Sequence, residues 1–293
     1  MQKRVVAIGV FDGVHRGHQA LIAQTLAIAS SHGLATGVLT FNPHPMTVVR
    51  GMSVPALSSI ERRTSLIKSY GIDEVFVCDF SAERAAQSAE QFIQEVLKER
   101  LNAQHIVVGK GFRFGHRAAG TANTLREAGL DVSEVEQVSL HGERVSSTRI
   151  REAIQDGKVS QAQELLTRPH RLEGVVVSGH KRGRELGYPT ANLRMDFLQA
   201  VPADGVYAGW LKTTSEMFPA AISVGTNPTF TDVSQRVVEA YCIDVHGIDL
   251  YDQTVSVDFV EFVRGMQAFS SLEELIEAMS QDVARCRTIV VPR

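Results

Sequence analysis

The sequence predicts an α/β protein in two domains: a doubly wound parallel sheet first, then a small antiparallel β-barrel with a closing helix. Three observations carry this expectation. The chain has 293 residues, and at roughly 100–200 residues per domain that length suggests about two domains. Up to about Gln137, short β-branched runs alternate with helical patterns, which calls for a parallel sheet covered on both faces. After Arg168-Pro169-His170 strand-like runs follow one another instead, the pattern of an antiparallel barrel.

The elements follow in order. Val5-Val6-Ala7-Ile8 reads as the first strand, followed by a helix near residues 18–29, a strand at 36–41, a helix near 60–70 and a strand at 74–78. A helix near 90–101, a strand at 105–108, a short helix near 121–128 and a strand at 131–135 complete the alternation. Ser58-x-x-Glu61 and Ser88-x-x-Gln91 read as capping boxes that satisfy orphan donors at helix starts, and Gly33 and Gly71 as helix stops. Two short helices, about 148–155 and 159–166, precede the expected boundary, which gives domains 1–168 and 169–293. Strand-like runs then occupy 171–177, 205–212, 220–224, 237–245 and 254–263. A helix at about 272–289 closes the chain, with Ser270-x-x-Glu273 as its capping box.

Composition narrows the function classes. With 44% hydrophobic and 22% charged residues, the chain is neither a disordered tail nor a fibrous repeat. A net charge of −3 supplies no global attraction to nucleic acid or a membrane surface, although a local basic loop can still hold a phosphate. Cys78, Cys242 and Cys286 are odd in number and widely spaced, without a C-x-x-C pair, against both a disulfide framework and a zinc site. No apolar run approaches the roughly 18 residues of a membrane span, and Met1-Gln2-Lys3-Arg4 leads into a strand rather than a signal peptide. A soluble, unprocessed, cytoplasmic protein is expected.

The strongest chemical signal is Gly9-Val10-Phe11-Asp12-Gly13-Val14-His15-Arg16-Gly17-His18, at the junction of the first strand and first helix. Helix N-terminal N–H groups favour anions, and Gly13 and Gly17 let backbone approach a polyphosphate. His15 and His18, three residues apart, can face one anion and donate to oxygens whose charge grows during displacement. Two histidines that merely cap a helix, or a metal pair short of further ligands, are the competing readings. Asn42-Pro43-His44-Pro45 follows the second strand, where His44 reads either as a substrate contact or as incidental to a Pro-stiffened turn. Gly109-Lys110-Gly111-Phe112-Arg113-Phe114-Gly115 offers ring faces to a flat ligand, or is a glycine-rich surface turn. Ser146-Ser147-Thr148-Arg149-Ile150-Arg151 opens a helix, either at phosphate or as an ordinary serine cap with exposed arginines.

In the second half, Gly179-His180-Lys181-Arg182-Gly183-Arg184 is a basic loop ahead of Gly187-Tyr188-Pro189-Thr190-Ala191-Asn192. Thr190 and Asn192 supply neutral oxygens suited to a Mg²⁺ that keeps most of its waters and bridges phosphates. A charged surface loop and a Pro-Thr turn explain the same residues without a ligand. Glu239 is a carboxylate within an apolar run, the usual mark of the outward face of a half-buried strand.

Taken together, these motifs resemble those of bacterial bifunctional riboflavin kinase/FAD synthetases. The first half is similar to the adenylyltransferase module through Gly9–His18, Asn42–Pro45, Val107–Gly120 and Ser146–Arg151. The second is similar to the riboflavin kinase module through Gly187–Asn192, Ile222–Phe230, Val238-Glu239 and Asp249-Leu250-Tyr251. The resemblance implies a Rossmann-like nucleotidyltransferase fold followed by a six-stranded kinase barrel. It implies His15, His18 and Arg151 polarising ATP in the first site, with Gly9, Phe11, Asp12, Gly17, Ser147 and Thr148 nearby. In the second, Gly179, Lys181, Thr190 and Asn192 would hold Mg-ATP, with Thr190 and Asn192 at the metal and Glu239 as general base. Flavin contacts would come from His44, Gly109, Phe112 and Phe114 in the first half, and from Gly187, Tyr188 and Arg264 in the second. Gly111 and Ala118 depart from the Asp and Arg that many members carry there.

The expected function is phosphorylation of riboflavin to FMN, then adenylylation of FMN to FAD, with ATP, riboflavin and FMN as small-molecule partners and a monomer or weak homo-oligomer as the working form. A kinase whose first domain only binds nucleotide, and a flavin-binding regulatory protein, are the rivals. A tRNA-charging enzyme is disfavoured, because no K-M-S-K-S-like loop and no basic RNA-binding region is present.

Overall fold

Residues 2–178, 187–226, 236–245 and 247–290 are described in the computed structural model. The chain divides into two units, 1–54 with 58–147 and 55–57 with 148–293. In the first, five parallel strands, β1 (Arg4–Ile8), β2 (Ala35–Asn42), β3 (Glu74–Asp79), β4 (Ala103–Gly109) and β5 (Asp131–Val135), stand in the order β3-β2-β1-β4-β5. The order reverses between β1 and β4, and ligands of open α/β sheets bind at the carboxyl ends of strands beside such a reversal.

β1 shows why the sheet must be covered twice. Val5 and Ala7 pack with Leu21, Ile22 and Ile67 on one face, whereas Val6 and Ile8 pack with Phe92, Val96 and Leu97 on the other. The first face is covered by α1 (Arg16–His32), and Ile67 comes from α3 (Ile60–Ser69), which follows the short α2 (Pro45–Arg50). After α4 (Ala82–Ala86), α5 (Ala89–Gln91) continues over Phe92–Arg100 in a wider π winding. With α6 (Ala122–Glu127), this covers the other face. A two-stranded ribbon, β6 (Ser139–Leu140) with β7 (Glu143–Arg144), ends the unit.

Helix starts match the sequence chemistry with two corrections. Ser88 and Gln91 form the expected capping box. For α3, however, the cap is Ser59, which accepts from Arg62 N, because Ser58 is turned inward to Asp12. The last helix, Leu272–Ile289, is likewise capped by Ser271 rather than Ser270, which hydrogen-bonds the Glu274 carboxylate.

The second unit begins with α7 (Ser147–Gln155) and α8 (Val159–Leu166), the first of which shares its opening residue with the other unit. Six strands, β8 (His170–Val177), β9 (Thr190–Arg194), β10 (Gly205–Lys212), β11 (Met217–Thr226), β12 (Arg236–Cys242) and β13 (Thr254–Arg264), close a barrel in the order β10-β11-β12-β9-β8-β13. Neighbouring strands are antiparallel, and Tyr207, Leu211, Ile222, Val238, Val257 and Phe259 are among the residues that fill the interior. Asp258 on β13 pairs with Arg171 on β8 and with Lys212 on β10. Burial works to raise its pKa, but these two cations hold the carboxyl below its ordinary value. α9 (Leu272–Ile289) lies on the barrel through Cys286, packed with Ala208, Ala221 and Ile243. The run expected as a strand at 237–245 ends at Cys242, and β9 adds a strand to the runs that residue patterns alone predict.

Candidate active sites

The chain leaves β1 through Gly9 and turns sharply, with positive φ at Phe11 (55°), Gly13 (78°) and Val14 (41°). Two of these residues are not glycine, so the conformation is strained and must be held by its surroundings. Phe11 is fully buried, and Asp12 accepts from Ser58 N at 3.2 Å and from Arg63 Nη2 at 3.3 Å. Gly13 N donates to Ser58 Oγ at 3.2 Å, and Ser147 Oγ donates to the Asp12 carbonyl at 3.0 Å. The loop is thereby clamped from both sides.

His15 caps α1, its Nδ1 accepting from His18 N at 3.3 Å. In the neutral ring this places the proton on Nε2, the atom that can donate to a phosphate oxygen. The two imidazoles stack, with centroids 3.7 Å apart and planes 14° from parallel, and Phe11 lies 4.9 Å from the His18 ring. Gly17 lies close against the stack, since a Cβ there would stand 3.1 Å from His15 Cε1 and push the ring by a few tenths of an ångström. No acidic residue occupies the first turn of α1.

His44 is half-buried and caps α2 by accepting from Met46 N at 3.2 Å. Gly109 ends β4 beside the strand reversal, and the Phe112 and Phe114 rings beyond it stack at 5.5 Å. Phe114 is sunk in the core beside Phe92, whereas Phe112 is half-buried and offers the more open ring face. Gly111 has φ 79° with open space around it. Thr148 is exposed in the first turn of α7, and Arg151 is half-buried in the second unit, its Nε donating to the Pro55 carbonyl at 2.7 Å.

In the barrel, residues 49 positions apart meet through strand register. β9 pairs with β12 so that Asn192 faces Glu239 and Thr190 faces Tyr241, and Thr190 Oγ1 donates to Glu239 Oε2 at 2.9 Å. Ala191 and Leu193 point the other way, into the core. Glu239 therefore does stand on the outward face of its strand, yet it is half-buried, for it lines a cavity of about 250 Å³ together with Ser223, Tyr188, Met266 and residues of α9. Tyr188 meets Tyr241 edge to face at 5.2 Å. Arg264 also lines the cavity and is gripped by Asp282 of α9 through two bonds of 2.7 and 2.6 Å. Gly187 turns the chain toward Tyr188 at φ 86°.

A second cavity of about 480 Å³ lies beside the first, lined by Asn192, Cys242, Asp249 and Tyr251, and Thr190 borders both. Burial pushes the Cys242 thiol up to about 11, so it is a neutral wall at physiological pH. Among the described residues no group of three or more His, Cys, Asp or Glu could hold a metal ion. Thr190 and Asn192 both line this cavity with neutral oxygens, the donor type that would suit a Mg²⁺ carried by a phosphate ligand. Gly179, Lys181 and the segment 227–230, singled out in the sequence, lie outside the described residues.

Several participants escaped the sequence reading. Arg63 and Ser58 support the first loop, and the only signal was a cation on the buried stripe of α3. Asp282 had no sequence signal, because its partner Arg264 belongs to a different element.

A strand-to-helix loop bearing two stacked histidines and a barrel carboxylate beside two cavities are the two sites expected of a bifunctional nucleotide-dependent transferase. Family models divide the chain in the same way: that of FAD synthetase matches residues 1–149, and that of riboflavin kinase matches residues 166–290. A bifunctional riboflavin kinase/FMN adenylyltransferase from Listeria monocytogenes is 34% identical over 95% of this chain and 90% of its own. One from Pseudomonas fluorescens is 35% identical over 98% of this chain and 93% of its own. The chain belongs to the family of bifunctional riboflavin kinase/FMN adenylyltransferases. A crystal structure described as a macrolide-efflux protein from Streptococcus pneumoniae covers 98% of this chain with 94% of its own, at a TM-score of 0.90 and 34% identity. In the present chain no described helix is long and apolar enough to cross a membrane.

Proposed function

We propose that the chain makes FAD in two steps, phosphorylating riboflavin to FMN with ATP in the barrel of the second unit and adenylylating FMN with a second ATP, releasing pyrophosphate, in the first unit. The observation that carries this reading is the meeting of Thr190, Asn192 and Glu239 where two cavities adjoin, the larger suited to Mg-ATP and the smaller, walled by Tyr188 and Met266, to a flat flavin.

In the kinase step Thr190 holds Glu239 Oε2 in place, and Oε1 takes the proton of the flavin's terminal ribityl hydroxyl as it attacks the γ-phosphorus. Bound Mg²⁺ would neutralise charge on the transferring phosphates. Arg264, paired with Asp282, orients α9 against the flavin rather than carrying an unbalanced charge. In the adenylyl step the FMN phosphate is already ionised and needs no base. His15 and His18 donate to the ATP phosphates, the loop from Gly9 to Gly17 brings backbone N–H groups near them, and Ser147 secures the loop through the Asp12 carbonyl. Phe11 and Asp12 serve through this backbone, their side chains being committed to the interior. Phe112 supplies a ring face for FMN, with Gly109 and His44 at the same sheet edge.

Chromatography of flavins after incubation with riboflavin, ATP and Mg²⁺ tests the proposal. FAD supports it, FMN alone returns the first unit to a binding role, and unchanged riboflavin returns the chain to a flavin-binding protein. A cytoplasmic enzyme acting on free small molecules, as a monomer or weak homo-oligomer, completes the reading; the three cysteines are buried free thiols, as in a reducing compartment.

A further inference from the structure

α3 buries two side chains, Arg63 and Ile67. Ile60, Arg63 and Ile67 are spaced so as to share one helix face, so a cation occupies a place where the helical period calls for an apolar group. Arg63 is only 5% exposed. A buried guanidinium must be paired and hydrogen-bonded to be tolerated. Its Nη2 donates to Asp12 Oδ1 at 3.3 Å, while Nη1 donates to the Phe41 carbonyl at 3.0 Å and to Thr40 Oγ1 at 3.4 Å. One planar group therefore ties the loop after β1 to the end of β2. Thr40 doubles the tie by donating to the Val10 carbonyl at 2.7 Å, and Ser58 extends it to Gly13 by donating to Asp12 and accepting from Gly13 N.

We infer that Arg63 is a positioning residue of the adenylyl site: it sets the spacing between the strained histidine loop and the Asn42–Pro45 turn. The inference rests on the adenylyl-transfer reading of the first unit. Arg63 acts through Asp12 and Phe41, because its bonds run into the interior. The loop cannot hold its left-handed residues by intrinsic preference, so the spacing of its phosphate-facing N–H groups follows the clamp. A lysine could meet Asp12 but, as a point donor without the guanidinium fork, could not span Asp12 and Phe41 together.

The test compares full-length wild type with Arg63→Lys and Arg63→Met, measuring FAD formation from FMN and phosphorylation of riboflavin in the same preparations with ATP varied. The expected result is an ATP KM for FAD formation raised about tenfold in Arg63→Met and by a smaller factor in Arg63→Lys, with the ATP KM of phosphorylation within twofold of wild type. A purely structural role lowers the amount of active protein and leaves KM where it was. An ATP KM for FAD formation within twofold of wild type in the folded variants overturns the inference, and if Arg63→Met does not fold, Arg63→Lys decides alone. A wild type that makes FMN but no FAD overturns the reading of the first unit and this inference with it, so the two failures are distinguishable.

Discussion

The two sites are built by opposite means. In the first unit the histidine loop is ten consecutive residues, Gly9 to His18, whose shape comes from left-handed backbone at Phe11, Gly13 and Val14 and from the start of α1. In the barrel no two of Thr190, Asn192 and Glu239 are neighbours in sequence, and they meet because β9 and β12 pair in one register. A local site is vulnerable to anything that alters the loop's backbone or its clamp. A register-built site is vulnerable to strand slippage, since a shift of one residue turns every side chain to the other face.

The largest effect that can separate the two belongs to Glu239→Gln, which keeps shape and loses the proton acceptor. Riboflavin phosphorylation should fall by about 10²–10⁴, while FAD formation from supplied FMN stays near wild type; near-normal phosphorylation by a folded variant would remove the base assignment. His18→Ala is the mirror experiment. FAD formation should fall by about 10²–10³, the scale of losing one donor to developing charge, with phosphorylation unchanged, and equal loss of both rates would break the two-site description.

Thr190→Val sharpens the register side. It keeps the β-branched shape but deletes the hydroxyl that holds Glu239 Oε2, so phosphorylation should drop by about tenfold, on the scale of one lost hydrogen bond. Its Mg²⁺ titration should also shift to higher concentration, and an unchanged titration would detach Thr190 from the metal. Smallest is Gly17→Ala, where the added Cβ crowds His15 Cε1. A displacement of a few tenths of an ångström should lower FAD formation by less than tenfold, read as a ratio to phosphorylation in the same sample.

The loop was legible in the sequence because its glycines, histidines and strand-to-helix position are contiguous signals. The caps were legible only to within one residue: Ser58 and Ser59 are equally good caps locally, and the choice fell to Ser59 because Asp12 takes Ser58. Residue patterns alone predict no strand at β9, since a five-residue run carrying Ala and Asn has little strand preference of its own. It is a strand because barrel closure supplies hydrogen-bonding partners on both sides, β12 and β8. Glu239 showed the limit of a correct local statement. It does face away from the barrel core, but α9 and Met266 cover that face and turn it into a cavity wall.

Local chain chemistry, then, was sufficient for the alternation of elements, the two-domain order and the turn from the first strand into the first helix, because each depends on side-chain period, turn residues and helix termini within a few positions. Packing alone decided the partners of Arg63 and Asp12, the grip of Asp282 on Arg264 and the register that delivers Thr190 to Glu239. These contacts join residues 18 to 51 positions apart, and such pairs are chosen by which surfaces exclude water together, a property of the folded chain that no short stretch of residues contains.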